Sequence, residues 1–336
     1  MSRPANGPAD DSAAAPPTTG GDLVARYLRE HVDALTDAGP RVRDDEPDAV
    51  HAARVASRRL RSTLRTFRPV LDRAAVEPLR AELRWWGGVL GTARDLEVQR
   101  DRARALLDDL PAELVVGPVR ARLDDRLDRG YRAAQREAAA QLGTERYRRL
   151  LADLDALATL AARAARPPLR RRADDPADDV AARVVRHAFR RARRRVDRAA
   201  GVLDVLAVLD PADGHAIHSS SATAPRLAAA LHEARKKVKA VRYAAEASVP
   251  TVGDHAATLA AALADVQDVL GAHHDACELA ALFRTTGMQA HLSGENGFTY
   301  GLLVERERER ARAAVAAAQD VWATASRPRL WRWARR

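Results

Sequence analysis

Apolar residues recur along this chain at the three-and-four spacing of amphipathic helices, and the breakers between the runs fall in a regular order. Gly39-Pro40 is expected to end a first helix of about Asp22 to Ala38, and Pro47 suits the first turn of a second that runs to about Leu71. A third is predicted from about Ala74 to Asp109, with Gly87-Gly88 or Gly91 as the place for a bend. After a turn flanked by Pro111 and Pro118, a long amphipathic stretch reaches about Ala165, with Gly143 as the place for a break. The segment Arg166 to Asp179, with Pro167, Pro168 and Pro176, reads as a linker. Helices then resume over about 177–207, 225–247, 251–285 and 298–325, with a polar loop at Asp210 to Pro225 and a Gly-rich one at Ser293 to Gly297. Met1 to Gly21, rich in Ala, Pro, Gly and Asp, reads as a disordered tail.

The pattern is duplicated. His51-x-x-Arg54-x-x-x-Arg58-x-Leu60-Arg61 recurs as His232-x-x-Arg235-x-x-x-Lys239-x-Val241-Arg242, at an offset of 181 residues. Leu90-Gly91-x-x-x-Asp95 recurs as Leu270-Gly271-x-x-x-Asp275 at 180, and the shorter Ala25-Arg26-x-x-Arg29 as Ala182-Arg183-x-x-Arg186 at 157. The longer loop around Asp210 to Pro225 is expected to take up the difference. The expected fold class is therefore all-α, with two duplicated four-helix bundles at residues 22–165 and 180–332 joined by a linker at 166–179.

Composition changes this picture in two ways. Aromatic residues make up only 4% of the chain against 46% hydrophobic, so the core is expected to be Ala, Leu and Val in closely packed helices. The 56 basic residues outnumber 46 acidic ones for a net charge of +10, and all but Lys236, Lys237 and Lys239 are arginines, whose planar fork suits phosphate and carboxylate. The single cysteine, Cys277, excludes an internal disulfide or a multi-cysteine zinc site. With no apolar run of membrane-spanning length and no leader pattern at the N-terminus, a cytoplasmic protein without a membrane partner is expected.

The bases are not scattered. At about 100° per residue, His51, Arg54, Arg58, Arg61 and Arg65 fall in an arc of roughly 80°, opposite the apolar Ala53, Ala56, Leu60, Leu64, Phe67 and Leu71. His232, Arg235, Lys239 and Arg242, with Lys236 close by, stand opposite Ala234, Val238, Val241 and Ala245, and Glu246 takes the fifth place. Arg183, His187, Arg190 and Arg194 share a face of the helix after the linker, and Arg26 precedes them in the first repeat. A solvated helix face normally mixes signs, because like charges three or four apart cost stability. These stripes are almost unmixed, whereas Asp124, Asp125 and Asp128 alternate with Arg122, Arg126 and Arg129 on an ordinary face.

A row of arginines about 5 to 6 Å apart matches a linear polymer of phosphates better than one small anion. Recognition of bases calls for stacking aromatics or amides, and the stripes hold no Phe, Tyr, Trp, Asn or Gln. Inorganic polyphosphate is thus the favoured partner and nucleic acid a secondary one. A metal site is disfavoured because His51 and His232 sit among cations and the adjacent His273 and His274 diverge on a helix, so no metal or other cofactor is expected. An enzyme is disfavoured because Asp95 and Asp275 occur singly, each suited to pairing with an arginine, and Ser219, Ser220 and Ser221 have no recognisable base partner.

The strings VHAARVASRRLRSTLRTF, LHEARKKVKAVRYAAEA, LRWWGGVLGTARDLEV and LGAHHDACEL resemble those of the CHAD family, the conserved histidine α-helical domain, over about Asp22 to Arg332. The resemblance implies two four-helix bundles related by a pseudo-twofold, with basic side chains lining a central cavity that binds polyphosphate. Residue by residue it points to His51, Arg54, Arg58, Arg61, His232, Arg235, Lys239 and Arg242; Arg65, Arg26, Arg183, Arg190 and Arg194 are added by helical periodicity. Members are often fused to a triphosphate-processing CYTH domain, for which this sequence leaves no room. A binding module alone is expected, without catalysis, in the cytoplasm or at polyphosphate granules.

Overall fold

The computed structural model describes residues 15–209 and 224–335. Among them the chain forms ten α-helices and no strand beyond two isolated bridges, an all-α fold. The expected tail lies outside the described residues as far as position 14, and so do positions 210–223 of the expected polar loop, Ser219 to Ser221 included.

Helix α1 (Gly20–Arg43) starts earlier and ends later than the spacing suggests. Thr19 caps it: its hydroxyl accepts from the Asp22 N–H at 3.2 Å, while the Asp22 carboxylate accepts from the Thr19 N–H at 3.0 Å. Gly20 and Gly21 are buried, and a Cβ on Gly20 would come within 2.6 Å of the Val180 side chain. Pro40 lies inside the helix at the loss of one backbone bond; the fully buried Val42 and the Asp44 N–H closing on the Pro40 carbonyl hold the last turn.

Helices α2 (Ala49–Thr66) and α3 (Arg73–Asp108) follow, and α3 passes through Gly87, Gly88 and Gly91 unbroken. The long stretch after Pro118 divides into α4 (Val119–Leu142) and α5 (Glu145–Ala162). Gly143 ends the first, and the Thr144 hydroxyl caps the second by accepting from the Tyr147 N–H. Five helices therefore precede the Pro-rich segment, one more than expected. After it come α6 (Ala177–Leu209), α7 (Ala224–Val252), α8 (Asp254–Leu292), α9 (Phe298–Ala325), the short α10 (Pro328–Trp331) and a 3-10 turn at Trp333–Arg335. α5 packs on α1 and α3, while α10 and the final turn pack on α8 and α6. A few residues thus cover in the second repeat the flank that a whole helix covers in the first.

The segment read as a linker is pinned down at both ends. Asp72 N–H donates to the Pro168 carbonyl at 2.8 Å, Arg170 N–H to Val70 at 2.8 Å, Gly20 N–H to Asp175 at 2.9 Å and Ala177 N–H to Thr18 at 3.0 Å. Leu169 and Ala173 are buried beneath it. Apolar packing also crosses between the repeats. The larger core joins side chains of α1 to α5 to those of α6, α7 and α8, and a smaller one joins Leu106, Leu107, Leu123 and Leu127 to Leu279, Phe283, Tyr300 and Leu303. Among the described residues no helix is long and apolar enough to cross a membrane.

Candidate functional site

The repeats meet through their matching helices, α2 against α7 and α1 against α6. The apolar faces read from the sequence are the buried ones: Ala53, Ala56, Leu60 and Leu64 on α2, and Ala234, Val238, Val241 and Ala245 on α7. Their burial turns the basic stripes toward one another. Along the contact the residues run in opposite directions, since Arg65 has Arg191 of α6 and Lys237 of α7 near it while Arg59 reaches Glu246 at 3.1 Å.

At the middle lies a cluster built by the duplicated Leu-Gly-x-x-x-Asp motif. The Arg54 guanidinium lies over Gly91 of α3, where a Cβ would come within 2.8 Å of Nη1, and pairs with Asp95 at 3.1 Å. Arg235 lies over Gly271 of α8 in the same way, 3.3 Å from where a Cβ would stand, with Asp275 its main opposing charge. The glycines leave room for the guanidinium; Asp95 one turn on pairs with Arg54, while Asp275 acts on Arg235 through its field without an ion pair between them. Burial, then the neighbouring cations, depress the pKa of both arginines, and each lies within the fields of Asp95 and Asp275. Between them, burial followed by Arg235, Arg58 and Arg54 pushes the Lys239 ammonium down to about 7. Arg58 Nε donates to the Tyr243 hydroxyl at 2.6 Å, tying α2 to α7.

From this centre the cations continue along the C-terminal half of α2. Arg61 is depressed by burial and by Arg84, Arg58 and Arg80; Arg65 by burial and by Arg80, Arg61 and Arg191; Lys237 by burial and by Arg65, with Arg191 and Arg195 adding to it. The buried Arg80 pairs with Glu77. Among the described residues, Arg61, Arg65, Arg84, Arg191, Arg195, Lys237 and Lys239 make no ion pair at all. Elsewhere many arginines are paired, as with Arg104 between Asp124 and Asp128 or Arg146 on Glu82.

The two histidines flank the cluster. Burial and then Arg94 and Arg58 lower the pKa of His51; burial and then Lys236 and His274 lower that of His232, whose ring lies 5.7 Å from that of His274. Both imidazoles are therefore neutral at pH 7. Among the described residues no three His, Cys, Asp or Glu side chains gather as a metal set.

Other residues singled out by periodicity are placed differently. Arg242 Nε donates to Glu246 at 2.7 Å, and Lys236 is held by Glu233. Arg26 is exposed on α1, with Nη1 3.5 Å from the Ala15 carbonyl oxygen. Arg183 is half-buried on α6, Arg194 is exposed near His187, and Arg190 lines a separate groove with Phe189, Trp331 and Arg335. The α6 side chains that reach the cluster are Arg191 and Arg195, one position further round. Five arginines in six places, Arg190 to Arg195, leave periodicity no contrast by which to choose a face. Arg80 and Arg84 of α3 were also missed, although their i, i+4 spacing was a signal available in the sequence.

An all-helical scaffold that packs two histidine-and-arginine helices together over glycine-seated guanidinium groups defines the class. The chain belongs to the CHAD domain family, whose match covers residues 26–284. Two uncharacterized proteins of Mycobacterium tuberculosis, from strains CDC 1551 / Oshkosh and ATCC 25618 / H37Rv, are each 34% identical to it over 288 residues. That alignment takes in 85% of this chain and 50% of each relative, so the chain spans about half the length of the curated relatives it matches. Among solved structures, PptA from Streptomyces chartreusis matches with a TM-score of 0.66 at 24% identity, covering 91% of this chain and 100% of PptA. The CHAD domain from the plant Ricinus communis matches with a TM-score of 0.65 at 21% identity, covering 95% and 97%. At these identities the likeness is one of fold.

Proposed function

We propose that this chain binds inorganic polyphosphate, without catalysis, on the basic surface where α2 meets α7. The observation that carries the reading is the set of cations around Lys239 that lower one another's pKa, make no ion pair among the described residues and gather where the two repeats meet. A cluster of that kind is completed by a ligand that brings one negative charge every few ångströms. Tyr243 touches Arg58 but is buried, so it offers no face on which a nucleobase can stack. Asp95 is paired with Arg54, and Asp275 stands as the main opposing charge of Arg235, which supports a role in seating guanidinium groups rather than in activating water. Recruitment to polyphosphate stores in the cytoplasm is the role this binding suits.

The test is a titration with polyphosphates of graded length against wild type and the double variant Arg58→Glu/Lys239→Glu. Wild type is expected to bind more tightly as the chain lengthens, to leave chain length unchanged on prolonged incubation with magnesium, and to resist equal phosphate concentrations of DNA. The double variant is expected to lose binding at least a hundredfold while its helical circular dichroism is retained. Displacement by DNA at parity returns the reading to a general polyanion binder, and shortening of the polymer makes it a hydrolase.

A further inference from the structure

The duplicated sequence breaks its symmetry in charge at several positions, and at one of them a base in the first copy is an acid in the second. At the offset of 181 residues, Arg65 of α2 corresponds to Glu246 of α7; at 180, Arg80 and Arg84 of α3 correspond to Ala260 and Ala264 of α8. The surroundings differ accordingly. Arg65 lies among Arg61, Arg80, Arg191 and Arg68, with Lys237 beyond; Glu77 pairs with Arg68 and Arg80, but no acid pairs with Arg65 itself among the described residues. Glu246 instead accepts from Arg242 Nε at 2.7 Å through Oε1 and stands 3.1 Å from Arg59 through Oε2. Beneath it α1 contributes the buried Tyr27 and His31, stacked edge to face at 4.2 Å, and the Glu246 charge raises the Tyr27 phenol pKa further above what burial already does.

We infer that Glu246 is the stop of a one-ended anion track. The track starts at the Arg54–Arg235–Lys239 centre and leaves along Arg61, Arg65 and Arg84 toward Arg191 and Lys237. At the opposite end, one carboxylate both occupies Arg59 and Arg242 and repels any phosphate that approaches. The polymer therefore extends from the centre in one direction only. This inference rests on the polyphosphate reading and adds to it the residue that fixes direction and length.

The experiment measures polyphosphate binding at graded chain length and salt for wild type, Glu246→Gln and Arg84→Ala. Glutamine keeps the shape of residue 246 and removes its charge, and Arg84 is exposed with no ion pair among the described residues, so its loss leaves the fold alone. The slope of log affinity against log salt counts the phosphates neutralised, by about 0.7 to 0.9 for each. Glu246→Gln is expected to bind long chains about tenfold more tightly, with a steeper slope and a longer chain at which affinity levels off. Arg84→Ala is expected to flatten the slope by about one phosphate and to weaken long chains while sparing the shortest ones that bind. Wild-type slope and length dependence in Glu246→Gln, or equal weakening at all lengths in Arg84→Ala, overturns the one-ended track and leaves the binding reading standing. Absence of binding by wild type overturns the binding reading itself.

Discussion

Lys239 shows what close packing does to a single charge. An ordinary lysine in the unfolded chain titrates near 10.4, and burial beside Arg235, Arg58 and Arg54 brings it to about 7. Between those two values the unfolded chain holds a proton that the folded one has released, so this group makes the free protein more stable as pH rises from about 7 upward. For a polyanion the sign reverses, because the ligand favours the ammonium. Binding at pH 8 is expected to take up a proton, and affinity to fall as pH rises from 7 to 9. Calorimetry in two buffers of different ionisation heat measures that uptake. Lys239→Arg is expected to abolish it, and equal heats in both buffers for wild type would count against the arrangement. Much of this residue-level site was legible in advance: the His-x-x-Arg-x-x-x-basic repeat and the paired Gly and Asp could be read because helical spacing and duplication each select them. What could not be read was why the glycines recur. That reason is the guanidinium lying over each, a contact between helices that neither helix encodes alone.

At the scale of elements, the apolar faces of α2 and α7 were predictable and the partition of the other helices less so. Gly143 marked a place where the chain turns, and Thr144 behind it caps the fifth helix locally; what holds that helix against the bundle is Tyr147 packing against Trp86 at 4.6 Å. In the second repeat the matching flank is closed by Trp331, which is 3% exposed and has its ring 3.4 Å from that of Phe189. Its Nε1 donates to the Ala325 carbonyl at 2.8 Å. Trp331→Ala is expected to cost about 3 to 5 kcal/mol of stability in urea unfolding, through the cavity and the orphaned carbonyl together, while the folded fraction keeps its anion affinity. A loss well under this range would mean that α10 is an ornament on α6 instead of its cover.

At the scale of the molecule, the two sequence repeats are not two cores. Apolar contact runs from α1 to α8 through a shared cluster, and the Pro-rich connection is bonded to the start of α1 and to the turn between α2 and α3. Thermal unfolding followed by calorimetry is expected to show one transition, and two separable ones would show that the repeats melt on their own. The cation cluster held at this junction has a consequence for how any ligand arrives. Several guanidinium groups without acid partners draw small mobile anions from the solvent, chloride and orthophosphate among them. A long polymer then enters by exchange, releasing many small ions for one large one, and the gain lies in their dilution into bulk water. Such a surface works as an ion-exchange resin a few nanometres across, tightest where the surrounding salt is lowest and the incoming chain longest.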